Sequence, residues 1–187
     1  MISLSRAAVF LDRDGVINYN RDDYVKRWAE FRFLPGALAA LRRLAASPFQ
    51  IVVVTNQSAL GRGLLDPAGL ECIHARMSRA VLAAGGRIDR IFYCPHRPED
   101  GCACRKPRPG LLEQAARALN IDLARSYLVG DALSDIQAAQ AAGCLPLLVL
   151  TGRGAAARQQ SAGRYQVVRD LGAAVDWILG RETAFES

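Results

Sequence analysis

Two aspartates two residues apart, Asp12 and Asp14, stand where the apolar run Ala7–Leu11 stops. Carboxylates that close repel and shift each other's protonation unless a cation or bound group compensates, so a divalent metal is their natural partner. Aspartate and glycine are also common in turns, and spacing alone leaves a solvated turn open. The run Ile51–Val54 ends in Thr55-Asn56-Gln57-Ser58, with Gly61-Arg62-Gly63 beyond. Hydroxyl, amide and backbone donors at a strand terminus suit phosphate oxygens, although a helix cap would use the same residues. Lys106 lies between Arg105 and Pro107 and just ahead of a helix start at Pro109. Held on stiff backbone, it is a cation able to neutralise a phosphoryl group; in isolation it would read as a surface lysine. The run Tyr127–Val129 leads into Gly130-Asp131-Ala132-Leu133-Ser134-Asp135, two further acids at a strand end. These would complete a carboxylate-lined magnesium site.

A second constellation is made of sulfur. Cys94, His96, Cys102 and Cys104 supply four donors in two close pairs, the set expected for tetrahedral zinc. Four protein ligands leave no position for water, so such a zinc is structural. The clustering favours metal over disulfides in a reducing compartment. Cys72 and Cys144 read as core thiols. The last zinc ligand falls two residues before Lys106, so the metal would anchor the segment presenting Arg105 and Lys106.

The elements that must position these groups alternate along the chain. Strands are predicted at Ala7–Leu11, Ile51–Val54, Ile88–Tyr93, Tyr127–Val129, Leu147–Leu150 and Gln166–Val168. Helices are predicted at Pro35–Ala46, Pro67–Ala84, Pro109–Leu119, Asp135–Ala142 and Leu171–Leu179, with Asp66-Pro67 a start signal and Gly85-Gly86 a stop. Alternation of this kind implies an α/β fold of three layers, α/β/α, around a parallel Rossmann-like sheet whose ligands bind at the carboxyl ends of the strands. The gap from Asn18 to Pro35 leaves no room for a large cap domain. Thr151–Arg164, without a sustained apolar face, is expected to be a mobile loop or connector. Residues 1–187 are expected to form one domain, with the zinc loop at 94–104.

With 187 residues, 51% hydrophobic and 22% charged, the chain suits one buried core and neither disorder nor a fibrous repeat. The net charge of +6 would suit a polyanion, but the basic residues are dispersed, which favours a small anionic substrate over nucleic acid. The apolar run at the N-terminus is too short for a signal-peptide core, and no run is long enough to span a membrane. A cytoplasmic monomer without nucleic-acid or membrane partners is expected.

Taken together, the Asp-x-Asp, Thr55, Lys106 and Gly-Asp-x-x-x-Asp segments resemble, in order, the haloacid dehalogenase phosphatases, over Phe10 to Asp135. The resemblance implies Asp12 as nucleophile and Asp14 as general acid/base. It makes Thr55 and Lys106 phosphoryl-binding groups; Asn56, Gln57 and Ser58, as donors at the same strand end, and Arg105, beside Lys106 on the zinc-held loop, are expected to bind substrate as well. It also implies magnesium on Asp12, the Asp14 carbonyl and Asp131, with Asp135 behind them. The zinc loop further resembles the branch of that family that acts on heptose bisphosphate in making nucleotide-activated heptose for lipopolysaccharide cores. The connector Arg97–Gly101 is shorter here than in many of those relatives. Histidinol-phosphate phosphatases, which bear similar motifs, are the alternative; a polynucleotide 3′-phosphatase is more distant. A non-catalytic zinc-bearing nucleic-acid module is the alternative of another class, and clustered strand-end acids argue against it because they repel phosphate without a metal.

Overall fold

The computed structural model describes residues 5–161, 163 and 165–185. Its strands are β1 (Ala8–Leu11), β2 (Gln50–Asn56), β3 (Arg90–Cys94), β4 (Tyr127–Gly130), β5 (Leu145–Val149) and β6 (Gln166–Val168). All pair in parallel, in the order β3-β2-β1-β4-β5-β6. The helices are α1 (Ala37–Ala45), α2 (Pro67–Ala83), α3 (Gly110–Leu119), α4 (Leu133–Ala142), α5 (Gly154–Gln160) and α6 (Leu171–Phe185).

Strand side chains alternate between two cores, which is why the strands read as unbroken apolar runs. Val9, Leu11, Ile51 and Val53 pack with residues of α1, α2 and α6. Ala8, Phe10, Val52 and Val54 pack on the other face with Leu111, Leu112 and Ala115 of α3 and Ala138 and Ala139 of α4. The result is the expected three-layer α/β/α arrangement. The chain builds outward from β1 to β3, then returns to place β4 against the other side of β1. At that switch the connections leave β1 and β4 in opposite directions and open a crevice at their carboxyl ends.

Local chemistry sets the boundaries. Asp66 accepts from the Gly69 N–H at 2.6 Å to start α2, and Gly85, at φ +81°, follows its end. Asp135 accepts from the Ala132 N–H at 3.0 Å, so α4 starts earlier than the expected Asp135. β3 starts later than Ile88 because Asp89 turns inward to accept from the Ile51 N–H at 2.7 Å. The segment expected to be a connector contains α5. That helix is alanine-rich but buries only Gly154 and Ala157, too little to show an amphipathic pattern; residues 162 and 164 of the segment lie outside the described residues. Cys72 is exposed rather than a core thiol, because it falls on the outward side of α2 between the buried Leu70 and Ile73; Cys144 is buried as expected. Between β1 and α1 the chain makes no domain, only a loop closed by a bridge between Asn18 and Phe33 and by contacts among Trp28, Phe31 and Phe33. Among the described residues no helix is long and apolar enough to cross a membrane.

Candidate active site

At the β1/β4 switch, Asp12 follows β1 with its N–H on the Val129 carbonyl at 2.9 Å, and Asp131 follows β4. One carboxylate oxygen from each of Asp12, Asp131 and Asp135 lies within 4.8 Å of the others. Lys106 is the cation among them: its Nζ lies 3.0 Å from Asp12 Oδ1 and 2.6 Å from Asp135 Oδ1, and donates to the Val54 carbonyl at 2.8 Å. Two carboxylates contact this ammonium and Asp131 lies close by, so the cluster carries more acid than base. Burial, joined by Asp135, Asp131 and Asp14, pushes Asp12 up to about 7 against the pull of Lys106. Burial likewise pushes Asp131 up to about 6, although the Arg153 N–H and Asn20 bonds oppose it. Burial alone would lower Lys106, but Asp12 and Asp135 outweigh it and hold the lysine above its ordinary value.

Asp131 is also pinned sterically. Its Oδ2 accepts from Asn20 Nδ2 at 2.7 Å and the Arg153 N–H at 2.8 Å. Gly15 and Gly152, both at positive φ, press against it so closely that a Cβ on either would come within 2.2 Å of that oxygen. The donor set fits a hard divalent cation. It consists of clustered carboxylate oxygens with too little positive charge among them, and the buried Asp135 Oδ1 has an ionic contact but no aligned hydrogen bond.

Asp14 is treated differently. Arg13, 1% exposed, grips its carboxylate through Nε at 3.2 Å and Nη2 at 2.9 Å, while Asn18 and Gln57 donate to it at 2.8 and 2.9 Å. Burial would raise Asp14, but these bonds and the Arg13 charge prevail and leave it below the ordinary aspartate value. A general acid at this position needs its pKa raised in the substrate complex. In the substrate-free cleft the carboxylate is ionised.

The residues after β2 divide their work. Thr55 Oγ1 accepts from Gln57 Nε2 at 2.9 Å, linking it through that amide to Asp14. Asn56 faces the Lys106 backbone with both ends of its amide, donating to the carbonyl at 3.1 Å and accepting from the N–H at 3.2 Å. It therefore fixes the lysine. Ser58 lies 3.5 Å from the Tyr24 hydroxyl. All these residues and Arg105 line a cleft of about 250 Å³, whose wall also carries Arg21, Arg62 and Arg153. Arg105 in addition donates to the His96 carbonyl at 3.2 Å.

The four zinc-loop donors converge as well. Cys94 Sγ lies 3.3 Å from Cys104 Sγ and 3.5 Å from Cys102 Sγ, and His96 Nδ1 is 3.5 Å from Cys94 and 3.3 Å from Cys104. These distances are slightly inside the roughly 3.8 Å edge of a tetrahedron with zinc–sulfur bonds of about 2.3 Å. They are far from the roughly 2.05 Å of a disulfide. Burial and the Cys104 contact push the Cys94 thiol up to about 12, whereas bonds from the Arg105 N–H and Cys104 draw Cys102 down to about 7 despite burial. Thiols so close cannot all ionise without a cation, and three thiols with an imidazole suit zinc.

Sequence reasoning missed Arg13, Asn20 and Arg153. Arg153 had a usable signal, since Thr151-Gly152 follows β5 at the same carboxyl edge as Asp12 and Asp131. Arg13 and Asn20 carried none beyond proximity to the acid pair.

A family model described as HAD-hydrolase-like matches residues 103–174. The D-glycero-beta-D-manno-heptose-1,7-bisphosphate 7-phosphatase of Bordetella bronchiseptica is 47% identical, over 91% of this chain and 97% of its own. The enzyme of the same name from Pseudomonas aeruginosa is 46% identical, over 81% and 85%. Among solved structures, the D,D-heptose 1,7-bisphosphate phosphatase from B. bronchiseptica complexed with magnesium and phosphate superposes with a TM-score of 0.90. That match has 46% identity and covers 94% of this chain and 99% of the other.

Proposed function

This chain belongs to the haloacid dehalogenase-like hydrolases, and from that premise we propose that it removes the 7-phosphate of D-glycero-D-manno-heptose 1,7-bisphosphate. The product, heptose 1-phosphate, would feed nucleotide-activated heptose and lipopolysaccharide core synthesis. The observation that carries the reading is the floor of the cleft: Asp12, Asp131 and Asp135 clustered about Lys106, beneath a wall bearing four arginines.

The residues divide the chemistry among them in this reading. Asp12 attacks phosphorus, the bond from phosphorus to the sugar oxygen breaks, and Asp14 gives that oxygen a proton. Water then attacks the phosphorus of the aspartyl phosphate while Asp14 takes its proton, and Asp12 leaves as carboxylate. The depressed Asp14 of the free cleft is ready for this second step. To act as the acid it must be protonated, which the negative phosphoryl group brought beside it favours. Thr55 and Lys106 hold phosphoryl oxygens. Asp12, the Asp14 carbonyl and Asp131, with Asp135 adjoining, would hold a magnesium ion, which would supply charge screening between nucleophile and phosphate. Cys94, His96, Cys102 and Cys104 would hold a zinc ion that anchors the loop presenting Arg105 and Lys106. The enzyme would act on this small sugar as a cytoplasmic monomer within one domain, with no nucleic-acid or membrane partner.

The direct test assays phosphate release from heptose 1,7-bisphosphate, histidinol phosphate and a 3′-phosphorylated oligonucleotide, with magnesium and with chelator. Magnesium-dependent release from the bisphosphate, leaving the 1-phosphate, is expected. Preference for either other substrate would overturn the assignment.

A further inference from the structure

The helix α2 carries a buried histidine that the reaction above does not use. His74 lies in line with the core residues Leu70, Ile73, Met77 and Val81, packs 5.9 Å from the Tyr93 ring, and turns its Nε2 toward Arg13 Nη1 at 3.2 Å. We propose that His74 is a positioning residue, whose imidazole accepts a hydrogen bond from Arg13 and so fixes the guanidinium that aims Asp14 into the cleft. The proposal rests on the reading of Asp14 as acid and base.

Three features of the structure support it. Guanidinium donates only, so in this pair His74 Nε2 must be the unprotonated acceptor. Burial and the nearby Arg13 charge agree, holding His74 down to about 3 and hence neutral. Arg13 is itself fully buried, and a buried donor without a partner is costly; Nε and Nη2 face Asp14, and His74 meets the remaining arm. Finally, the two bonds lie on opposite sides of one rigid planar group. Fixing one arm therefore orients the other, and the fork at Asp14 inherits its direction from a helix remote in sequence. Asn18 and Gln57 restrain Asp14 as well, and Asn18 also donates its N–H to the Arg13 carbonyl at 3.1 Å, but among the described contacts neither meets the Arg13 guanidinium.

The test uses zinc-containing enzyme saturated with magnesium and compares His74→Leu, which removes the acceptor, with His74→Gln, which restores one. The expected result for leucine is a fall in kcat of about 10- to 100-fold on heptose bisphosphate with little change in KM, since the misplaced group acts in the chemical steps. Glutamine should recover most of that loss. p-Nitrophenyl phosphate supplies a second readout, because its leaving group departs without a proton. With leucine at position 74, phosphoryl transfer to Asp12 should release about one equivalent of nitrophenol per site, and slow attack of water should follow. His74→Met, which fills the space flexibly, serves the same comparison if leucine does not pack. Equal losses in the leucine and glutamine variants, tracking lowered thermal stability, would make His74 a packing residue only and overturn the proposal. Asp14→Asn separates the two ideas. Full activity in that variant overturns the acid/base reading itself, whereas a dead Asp14→Asn beside a fully active His74→Leu overturns only the role of His74.

Discussion

The zinc loop and the carboxylate cluster meet between Cys104 and Lys106, yet opposite means assemble them. The four zinc donors come from one short segment, 94–104, and their geometry is set by local backbone once β3 delivers Cys94. The carboxylates come from segments distant in sequence and meet only because β1 lies beside β4 in the sheet. The thiols close on one another in a set that leaves no open position. The acids remain short of positive charge and face a cleft. The contrast supports the proposal that one metal would belong to folding and the other to turnover: zinc should stay through purification, and magnesium should exchange. Each variant below strikes one region and should spare the other.

The largest effect is expected from Asp12→Asn. The amide is a poor nucleophile and a weaker magnesium ligand, so kcat should fall on the order of 10⁴-fold or more. Because Asp12 is half-buried among like charges and raised to about 7, removing its charge should leave the melting temperature equal or higher. Zinc content should not change. Kinetics, thermal melting and elemental analysis on one sample check all three, and substantial turnover would remove Asp12 from its role.

Cys102→Ser attacks the other region. Loss of one thiolate should release much of the zinc, lower the melting temperature and reduce kcat/KM by about 10- to 100-fold as Arg105 and Lys106 lose their anchor. Unlike Asp12→Asn, it should destabilise the protein before it silences it. Elemental analysis of the wild type that finds no tightly held zinc would end the distinction between the two metals.

The two regions also differed in how legible they were. The convergence of Cys94, His96, Cys102 and Cys104 could be read from the sequence, because they are ligand types at ligand spacing within one segment. The sheet and its acid-bearing strand ends were readable because fully buried strands announce themselves as apolar runs. Side-chain partnerships across the fold were not. No pattern in the sequence links Arg153 or Asn20 to Asp131, or sets Asn56 to hold the Lys106 backbone, since those contacts depend on where distant loops land. α5 escaped for a different reason, burying too little to impose periodicity.

Arg105→Ala tests the seam between the regions, for Arg105 both lines the cleft and donates to the His96 carbonyl. If its guanidinium also holds the second phosphate, kcat/KM on heptose 1,7-bisphosphate should fall by about 10- to 150-fold, with little change on a sugar monophosphate. Equal losses on both substrates would confine Arg105 to supporting the zinc loop.

The smallest effect is a pH dependence that the carboxylate cluster should show in zinc-loaded, magnesium-free protein. In magnesium-free protein Asp12 is raised to about 7 and Asp131 to about 6, both above the ordinary aspartate value of 3.8. Between 3.8 and those values the folded state therefore binds more protons than the unfolded chain. Stability must then fall as pH rises through the window. The protonated, more stable form is the one present at low pH, the reverse of what an aspartate held below its ordinary value, such as Asp14, would give. Allowing for the coupling among these acids, a loss of roughly 1–2 kcal/mol between about pH 5 and pH 8 corresponds to a drop in melting temperature of several degrees. Saturating magnesium supplies the absent charge, favours the ionised carboxylates, and should flatten or reverse the slope. Zinc-loaded protein without magnesium should keep it, because the thiolate site is a separate one. Thermal melts across this pH range, with and without magnesium at constant ionic strength, check the prediction. A magnesium-free protein that grows steadily more stable toward pH 8 would show that the acids are already balanced and that the cluster does not call for a second metal.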